Sequence, residues 1–308
     1  MMSMPNLHVG RGTDLGALSV FPVWAEGPAV PGLATGGAAN VLVAEREGSP
    51  VVGELVLKNV SARPALLLAG ELFEGGWQHR VLNHDLLLMP GQQAVASVCC
   101  VEAGRWNGAG SHRRQARWAS MMVRAAQTTA SGSERQDQVW DRVARYDQAF
   151  GGSATASYMD HLDRHANPHP NPSPNSGRGQ DEAIWVGIRA IRAIPGQRGV
   201  LIGLGGQPAF LELFATPAGL RRNLCGLLEA AALDAALLPA EPTPGRRARR
   251  FVASLVNALL GEHLGIDAGA GRALAARSHD REIRALAWND HLVHATVFNR
   301  RHELMAVA

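Results

Sequence analysis

The sequence has 308 residues, of which 46% are hydrophobic and 19% are charged. These proportions are those of a globular protein, and they exclude a disordered or collagen-like chain. The formal net charge is +3, and 29 of the 30 basic residues are Arg, with Lys58 as the single Lys. Because acids and bases nearly balance and aromatic residues are sparse, the composition does not indicate a nucleic-acid-binding surface.

Several further features concern the compartment. The sequence has no run of 18 apolar residues, so no membrane span is predicted. Its start, MMSMPNLHVGRG, lacks the basic and apolar regions of a signal peptide. The cysteines Cys99, Cys100 and Cys225 form no Cys-x-x-Cys pair, which argues against a disulfide framework and a cysteine zinc site. We therefore expect a soluble, cytoplasmic protein with no membrane or nucleic-acid partner.

The chain from residue 17 to 102 is rich in strand-forming residues. Its β-branched or Leu-rich runs are separated by Gly, Pro, Ser and Asn, and they lie at 40–47, 51–60, 64–73, 77–89 and 94–102. The runs follow one another too closely for crossover helices. A largely antiparallel sheet is therefore expected here.

Helical spacing of apolar residues follows. One amphipathic helix is expected from about 113 to 127, and Ser133 with Gln136 has the spacing of a capping box for a second helix that reaches Phe150. Residues 166–181, ANPHPNPSPNSGRGQD, contain four Pro and no large apolar residue. They predict a loop, which would be either a lid or an insertion.

The strand pattern then returns, at 183–191, 199–205 and 209–215. Thr216-Pro217 begins a helix, and another helix is expected at about 246–261. The tail from about 270 to 298 alternates like a three-stranded meander whose last turn is Asn289-Asp290.

These elements predict an α+β fold with largely antiparallel sheets covered by amphipathic helices. The N-terminal third is β-rich, and a β-meander lies at the C-terminus. We expect a β-rich domain with covering helices at 1–165 and a second α+β lobe at 182–308. The Pro-rich loop at 166–181 joins them, and the two parts are expected to pack as one unit.

The most informative stretch is LLLAGELFEGGWQHRVL, in which Gly75-Gly76 is a two-residue hairpin signal. Such a turn would place Glu71 opposite Arg80 and would put both on one face of the sheet with Gln78. A charged pair and an amide would then lie beside the apolar run ALLLA.

A second polar group ends the strand SVCCVEAGRWNG. Glu102 lies there just ahead of Arg105 and Trp106. A lone buried charge costs several kcal/mol, so these side chains and the hairpin charges should either pair with one another or face a wet cavity. Cross-strand Glu–Arg pairs are also common on solvated sheet faces, so a purely structural role is the alternative interpretation.

With these residues in place, the chain resembles the ARG-and-rhodanese-phosphatase-superfamily-associated protein family. The similarity is carried by LKN at 57–59, GELFEGGWQHR at 70–80, CVEAGRW at 100–106, QVW at 138–140 and SAT at 153–155. The resemblance implies a polar motif at Glu71, Gln78, Arg80, Glu102, Arg105 and Trp106, together with Gln138, Trp140, Ser153 and Thr155. The association with ADP-ribosylglycohydrolases implies a metabolite of the ADP-ribose or NAD kind.

Other motifs give weaker signals. His161 and His165 are four residues apart, a spacing compatible with zinc, but the absence of a His-Glu-x-x-His pattern favours exposed histidines at a helix end, and no metal site is predicted. His291 and His294 should point to opposite faces of a strand. GLGGQP at 203–208 lies between two strands and therefore indicates a tight turn rather than a dinucleotide site. Cys100 is interpreted as a small buried residue rather than a nucleophile.

Two functions remain open from the sequence. In the first, Arg80 and Arg105 hold an anionic group of a nucleotide-derived small molecule, Glu71 or Glu102 acts as a general base in a hydrolytic reaction, and Trp106 stacks on a base or sugar. In the second, the protein is a non-catalytic interaction or scaffold protein whose motif charges are internal ion pairs. The residues leave the cofactor, the oligomeric state and the enzymatic status undecided.

Overall fold

The structure is a computed structural model that describes residues 1–48, 51–129, 132–166 and 178–305. Most of the Pro-rich loop expected at 166–181 lies outside these residues, and its last residues begin a helix. Among the described residues, no helix combines the length and apolar character needed to cross a membrane.

The strands of the first half of the chain range from two to eight residues in length. They are β1 (Met2–Ser3), β2 (Leu7–Val9), β3 (Thr13–Leu15), β4 (Leu18–Ala25), β5 (Val41–Ala44), β6 (Glu54–Asn59), β7 (Ala65–Leu67), β8 (Glu71–Gly75), β9 (Arg80–Leu82), β10 (Leu86–Leu88), β11 (Gln93–Cys100) and β12 (Ser111–Trp118).

Helices predominate in the middle of the chain, and strands return near its end. The helices are α1 (Met121–Thr129), α2 (Gly132–Phe150), α3 (Tyr158–Ala166), α4 (Arg178–Ala190), α5 (Pro217–Ala235) and α6 (Gly245–Ala253). The remaining strands are β13 (Gly199–Leu204), β14 (Gln207–Phe214), β15 (Leu259–Glu262), β16 (Arg272–Arg277), β17 (Arg281–Trp288) and β18 (His291–Asn299). The α+β fold class with antiparallel sheets is confirmed.

The first sheet has ten strands and joins the two ends of the chain. Its order is β1-β15-β16-β17-β18-β14-β13-β4-β2, with β3 paired to β4. The N-terminal strands therefore share a sheet with strands that follow residue 199, although the sequence suggested that residues 1–165 form their own β-rich domain. The division expected at 166–181 does not separate the sheets.

The second sheet closes into a six-stranded barrel between residues 41 and 118, in the order β11-β6-β5-β12-β8-β9. Side chains alternate across each strand, so every second residue points into the barrel. Most of the interior is apolar and is filled by residues such as Leu55, Leu57, Phe73 and Val98. The interior changes to charged residues at one end, where β8 and β9 are joined.

The largest core cluster contains side chains of the ten-stranded sheet, the outside of the barrel and the helices α1, α2 and α5. Thr216 caps α5 as expected, since its side chain accepts a hydrogen bond from the Gly219 N–H at 3.0 Å. Gly205-Gly206 and Asn289-Asp290 form the expected tight turns, and all four residues have positive φ.

Three of the helices and strands expected from the sequence are wrong. The helix expected from 113 begins at Met121, because residues 111–118 form the barrel strand β12. The strand expected at 183–191 is part of helix α4, whose buried Ile184 and Ile188 are four residues apart and so share one helical face. The helix expected at about 246–261 ends at Ala253, and Leu259 begins β15.

Candidate functional site

The β8–β9 hairpin does not have the two-residue turn that its glycines suggested. Phe73 pairs with Arg80 and Leu72 pairs with Val81, so Glu71 does not face Arg80. Gly75 is still part of β8, with a φ of +93°, and its N–H donates to Nδ1 of His79 at 3.0 Å. The loop is therefore two residues longer than a two-residue turn, and the register shifts accordingly.

Glu71 pairs with an arginine from another strand of the barrel. Its Oε2 lies 2.5 Å from Nη2 of Arg114, and its Oε1 accepts a hydrogen bond from the Leu68 N–H at 3.1 Å. Nη1 of Arg114 also donates to the Ala39 carbonyl at 2.7 Å. This buried ion pair ties β8 to β12 and to the chain that precedes β5. Glu71 therefore has the structural role that the sequence analysis gave as the alternative, and its carboxylate is not free to act as a general base.

Arg80 lies inside the charged end of the barrel and is fully buried. Its Nη2 is 3.6 Å from Oε1 of Glu45, and its Nη1 donates to Oε1 of Gln78 at 3.5 Å. Both separations are long for charge-assisted contacts. Within the described residues, Nε and Nη2 have no hydrogen-bond partner. Because buried donors are almost always hydrogen-bonded, this guanidinium requires an explanation.

Glu45 and His112 complete the charged end, and the sequence analysis missed both. Oε1 of Glu45 is 3.0 Å from Nε2 of His112 and accepts a hydrogen bond from the Trp77 N–H at 3.2 Å. Its Oε2 is buried without a partner among the described residues. Burial lowers the pKa of His112 against the opposing effect of Glu45, so a neutral imidazole faces the carboxylate. We call Glu45, Gln78, Arg80 and His112 the barrel cluster.

Glu102 and Arg105 form a closed ion pair beside this cluster. Nη2 of Arg105 lies 2.7 Å from Oε2 of Glu102, and Nη1 donates to the carbonyls of Gly76 and Asn107, each at 2.8 Å. Glu102 also accepts from the His79 N–H at 3.2 Å. Although burial raises the pKa of Glu102, the hydrogen bonds from Arg105 and its other partners outweigh burial and lower it. Glu102 and Arg105 therefore fix the loop that covers the barrel cluster.

Two tryptophans cover the same end of the barrel. The rings of Trp77 and Trp106 meet edge to face, with their centroids 5.5 Å apart. The Arg80 guanidinium carbon is 5.6 Å from the centroid of the Trp106 ring, a cation–π distance. Trp106 is 43% exposed although its ring contacts a fully buried arginine. The two predicted polar groups thus meet at one end of the barrel, through Arg80, Trp106 and the loop held by Arg105.

The weaker motif positions lie on the helical side. The Thr155 side chain hydrogen-bonds to Glu102, and its carbonyl accepts from the Gly104 N–H at 2.8 Å. The Ser153 hydroxyl accepts from the Ser157 N–H at 2.6 Å, within its own loop. Gln138 and Trp140 are half-buried on α2.

Helix α2 contacts the barrel through Gln136, which the sequence analysis placed in a capping box. The side chain of Gln136 instead bonds both backbone groups of Cys100: its Oε1 accepts at 2.7 Å and its Nε2 donates at 2.9 Å. Through these two hydrogen bonds, helix α2 is attached to the barrel strand β11. No cap at the start of α2 is needed to explain this residue.

Cys100 is buried as expected, and burial raises the pKa of its thiol to about 12, which keeps it protonated at neutral pH. His161 is buried rather than exposed, and its Nε2 lies 2.8 Å from Oδ1 of Asp147. In the part of the chain that the structure describes, no group of three His, Cys, Asp or Glu side chains could hold a metal ion.

A second charged cluster lies between the barrel and the ten-stranded sheet. His294 on β18 has its Nδ1 2.7 Å from Oδ2 of Asp85 and its Nε2 3.0 Å from Oε2 of Glu212. Arg124 of α1 reaches Glu212 at 2.6 Å. The carboxylates of Asp85 and Glu212 raise the pKa of His294 to about 9 against the opposing effect of burial. We call these four residues the sheet cluster.

The sequence analysis missed the sheet cluster because its members come from four distant elements. The sequence did contain one signal for this cluster, namely single charged residues within otherwise apolar strands. Glu212 stands in the strand AFLELF, and His294 stands in HLVHATVF. Arg124 interrupts the apolar face of α1, and its guanidinium lies 5.2–5.7 Å from the ring centroids of three aromatic residues, Trp118, Phe210 and Phe298.

Comparison with protein-family models matches residues 6–298, nearly the whole chain, to the ARG and Rhodanese-Phosphatase-superfamily-associated Protein domain. No curated protein matches the chain. No solved structure matches it either.

Proposed function

The chain belongs to the ARG and Rhodanese-Phosphatase-superfamily-associated Protein family, and on that premise we propose that its barrel cluster binds the anionic group of a nucleotide-derived small molecule. The ADP-ribose or NAD type is the ligand class that the family association suggests. One observation carries the proposal. The buried Arg80 guanidinium has two nitrogens without a hydrogen-bond partner in the described residues, directly beneath a half-exposed indole.

The electrostatic cost supports this interpretation. A buried charge whose hydrogen bonds are incomplete costs several kcal/mol, so a folded chain that keeps such a charge usually uses it. A guanidinium presents its donors in a plane that matches two oxygens of a phosphate group. Nε and Nη2 of Arg80 lie on adjacent positions of that plane, and they are the donors that lack partners.

Trp106 would supply the apolar part of the site. Its half-exposed ring offers a face on which a base or sugar can stack, while the ring edge of Trp77 supports it from the side. Arg105 would act as a positioning residue, since its donors already hold Glu102 and the Gly76 carbonyl. This role differs from the phosphate contact expected from the sequence.

For a hydrolytic reaction, Glu45 is the general base that this arrangement offers. Its Oε2 has no partner among the described residues, whereas Glu71 and Glu102 are each engaged by an arginine and a backbone N–H. His112 holds the other oxygen of Glu45 and so fixes the direction of the free one.

A second candidate function is supported by the same ion pairs. Glu71–Arg114 and Glu102–Arg105 are close internal ion pairs at 2.5 and 2.7 Å, as expected for a non-catalytic interaction or scaffold protein whose motif charges are structural. In that case the barrel cluster would be a structural network, and no small molecule would bind there.

Thermal unfolding with ADP-ribose, NAD and related nucleotides separates the two candidates. We expect a ligand to raise the unfolding midpoint of the wild-type protein by several degrees. Arg80→Lys keeps the charge but loses the paired donors, and it should abolish the increase, while Trp106→Ala should reduce it. Trp24→Ala is the matched control. It removes a half-buried indole of the ten-stranded sheet, which donates a hydrogen bond to the Pro195 carbonyl, and this variant should respond to the ligand as wild type does. Equal increases in all variants, or none, would favour the scaffold function.

A further inference from the structure

A cleft outside the barrel cluster opens where the barrel, α1 and the C-terminal strands meet. Its walls come from the β9–β10 connection, from α1, from the strands β16, β17 and β18, and from the chain after β15. The polar side chains that line it include Asn83, His84, Asp85, Arg124, His263 and Arg284. The cleft shares no lining residue with the barrel cluster, so a ligand here would be independent of the one proposed above.

Two imidazoles face each other across this cleft. The ring centroids of His84 and His263 are 6.4 Å apart, with their planes nearly perpendicular. Neither ring makes a hydrogen bond to the residues that the structure describes. Burial lowers the pKa of His84 to about 3, with further lowering by Arg284, Arg135 and His263, and a smaller opposing effect of Asp85. Burial and Arg284 also lower the pKa of His263.

One arginine beside the two imidazoles, Arg284, has guanidinium donors that its carboxylate partner does not use. Arg284 is bound only through its Nε, which donates to Oε1 of Glu282 at 3.0 Å, so the remaining guanidinium donors have no bond among the described residues. Asp85 is the carboxylate on the cleft wall. Both of its oxygens are engaged, by the Ala69 N–H at 2.8 Å and by His294 at 2.7 Å. Asp85 is therefore paired with a protonated histidine, and the other carboxylate near the rings, Glu282, is paired with Arg284 and acts to raise the pKa of His263.

We propose that this cleft is a binding site for a small oxyanion, a phosphate, sulfate or carboxylate group, held by Arg284, His84 and His263. The guanidinium would supply charge and paired donors, and each imidazole would supply one N–H. The innermost space of about 30 Å³ exceeds the roughly 10–15 Å³ that one water molecule requires. It admits a group of a few heavy atoms, such as a single oxyanion.

Binding at this site takes up protons. Burial is the largest cause of the lowered pKa of both rings, and Arg284 and Arg135 add to it. An anion between His84 and His263 opposes these effects, because it favours the charged form of each imidazole. A ring that is neutral in the free protein then becomes protonated in the complex. Affinity should therefore increase as the pH falls, by up to about tenfold per pH unit for each proton taken up.

Sulfate is a suitable probe, because it keeps its charge between about pH 6 and pH 8, the range in which histidines normally titrate. The thermal unfolding midpoint of the full chain is measured against sulfate concentration at both pH values, with acetate in parallel to separate tetrahedral from planar oxyanions. We expect saturable stabilisation with an apparent affinity at least tenfold higher at the lower pH. Chloride at equal ionic strength should not reproduce it.

Matched variants test the assigned residues. Arg284→Gln and His84→Gln should remove the saturable stabilisation. Arg277→Gln should retain it, because Arg277 also pairs with Glu282, at 3.9 Å, but does not line the cleft. His291→Gln changes an exposed histidine of β18 and should likewise retain it. Each increase is referred to the same variant's midpoint without sulfate, so a change in stability does not obscure the result.

Three results would overturn the proposal: a stabilisation that does not depend on pH, one that survives in His84→Gln, or one lost equally in Arg277→Gln and Arg284→Gln. If Arg284→Gln does not fold, the comparison of His84→Gln with His291→Gln decides alone. Arg80→Lys, which removes the paired donors of the barrel cluster, should keep the saturable stabilisation by sulfate. Its result therefore separates failure of this site from failure of the barrel cluster.

Discussion

The barrel cluster and the sheet cluster bury similar charged side chains, but they differ in the distances between opposite charges. In the sheet cluster, Asp85, His294, Glu212 and Arg124 are joined by ion-pair distances of 2.6–3.0 Å, and two cations match two carboxylates. In the barrel cluster, Arg80 is 3.6 Å from its nearest carboxylate oxygen, and two of its nitrogens lack partners among the described residues. Glu212 Oε1 and His294 Nε2 also lack a well-directed hydrogen bond among the described residues, but each lies within 3.0 Å of an opposite charge. Close ion pairs indicate a structural role, and a buried guanidinium without a close carboxylate indicates a site.

The largest effect should come from breaking the sheet cluster at Glu212. Glu212→Gln leaves Arg124 and His294 buried without their shared carboxylate, and removing one partner of a buried pair costs about 3–5 kcal/mol. Urea unfolding would measure the loss. Glu45→Gln, the equivalent change in the barrel cluster, should cost clearly less, because its contact with Arg80 is already long. Equal losses would mean that the barrel cluster is as structural as the sheet cluster.

The second prediction concerns alkaline pH. His294 has a normal pKa of 6.5 when unfolded and a pKa of about 9 in the folded chain. A raised pKa in the folded state stabilises the protein fully below pH 6.5, and this contribution is lost as the pH rises through 9. The free energy of unfolding should therefore fall by about 3 kcal/mol over this interval.

Urea unfolding at a series of pH values would show this decline. His294→Gln should be less stable than wild type at the acidic end of the interval and should lack most of the decline. His291→Gln, an exposed change on the same strand, should keep the wild-type profile. A wild-type curve that stays flat above pH 6.5 would show that His294 is neutral and that the sheet cluster is not charge-balanced.

These two clusters also show how far the sequence could lead. The antiparallel strands, helix α5 and the C-terminal meander follow from local periodicity and turn residues, which act within a few positions. The Glu71–Arg114 pair joins residues 43 positions apart, and the sheet cluster joins residues up to 209 positions apart. Pairing over such distances depends on how β12 closes the barrel and how β18 pairs within the ten-stranded sheet. Local sequence patterns of a few residues do not predict either.

The hairpin illustrates the same limit at short range. Gly75 and Gly76 correctly indicated a turn, but the loop length depends on His79 bonding the Gly75 N–H and on Arg105 holding the Gly76 carbonyl. Glu45 continues the inward face of Val41 and Val43, so its burial was readable from alternation. His112 was not, because its strand was assigned to a helix.

The third prediction tests the contact between the hairpin and the barrel cluster. Gly76 has a φ of +57°, and a Cβ added to it would lie 2.0 Å from Nε2 of His112. Gly76→Ala should therefore displace His112 from Glu45 and reduce stability by about 1–3 kcal/mol. Gly132→Ala is the matched control, because Gly132 has a φ of +58° and no atom within 4 Å of its added Cβ. Equal losses in the two variants would show that backbone strain alone matters and that His112 is not held in place.

The smallest effect on stability should come from Trp106. Its loss should differ most from the loss expected at Glu212 in the sheet cluster. Trp106→Ala removes a half-exposed ring, so we expect the free energy of unfolding to change by less than about 1 kcal/mol. The same variant exposes Arg80 to water, which supplies the hydrogen bonds that its Nε and Nη2 lack and can offset the lost cation–π contact. Urea unfolding that shows a loss comparable to that of Glu212→Gln would mean that the indole is a core residue and that the barrel cluster is closed to ligands.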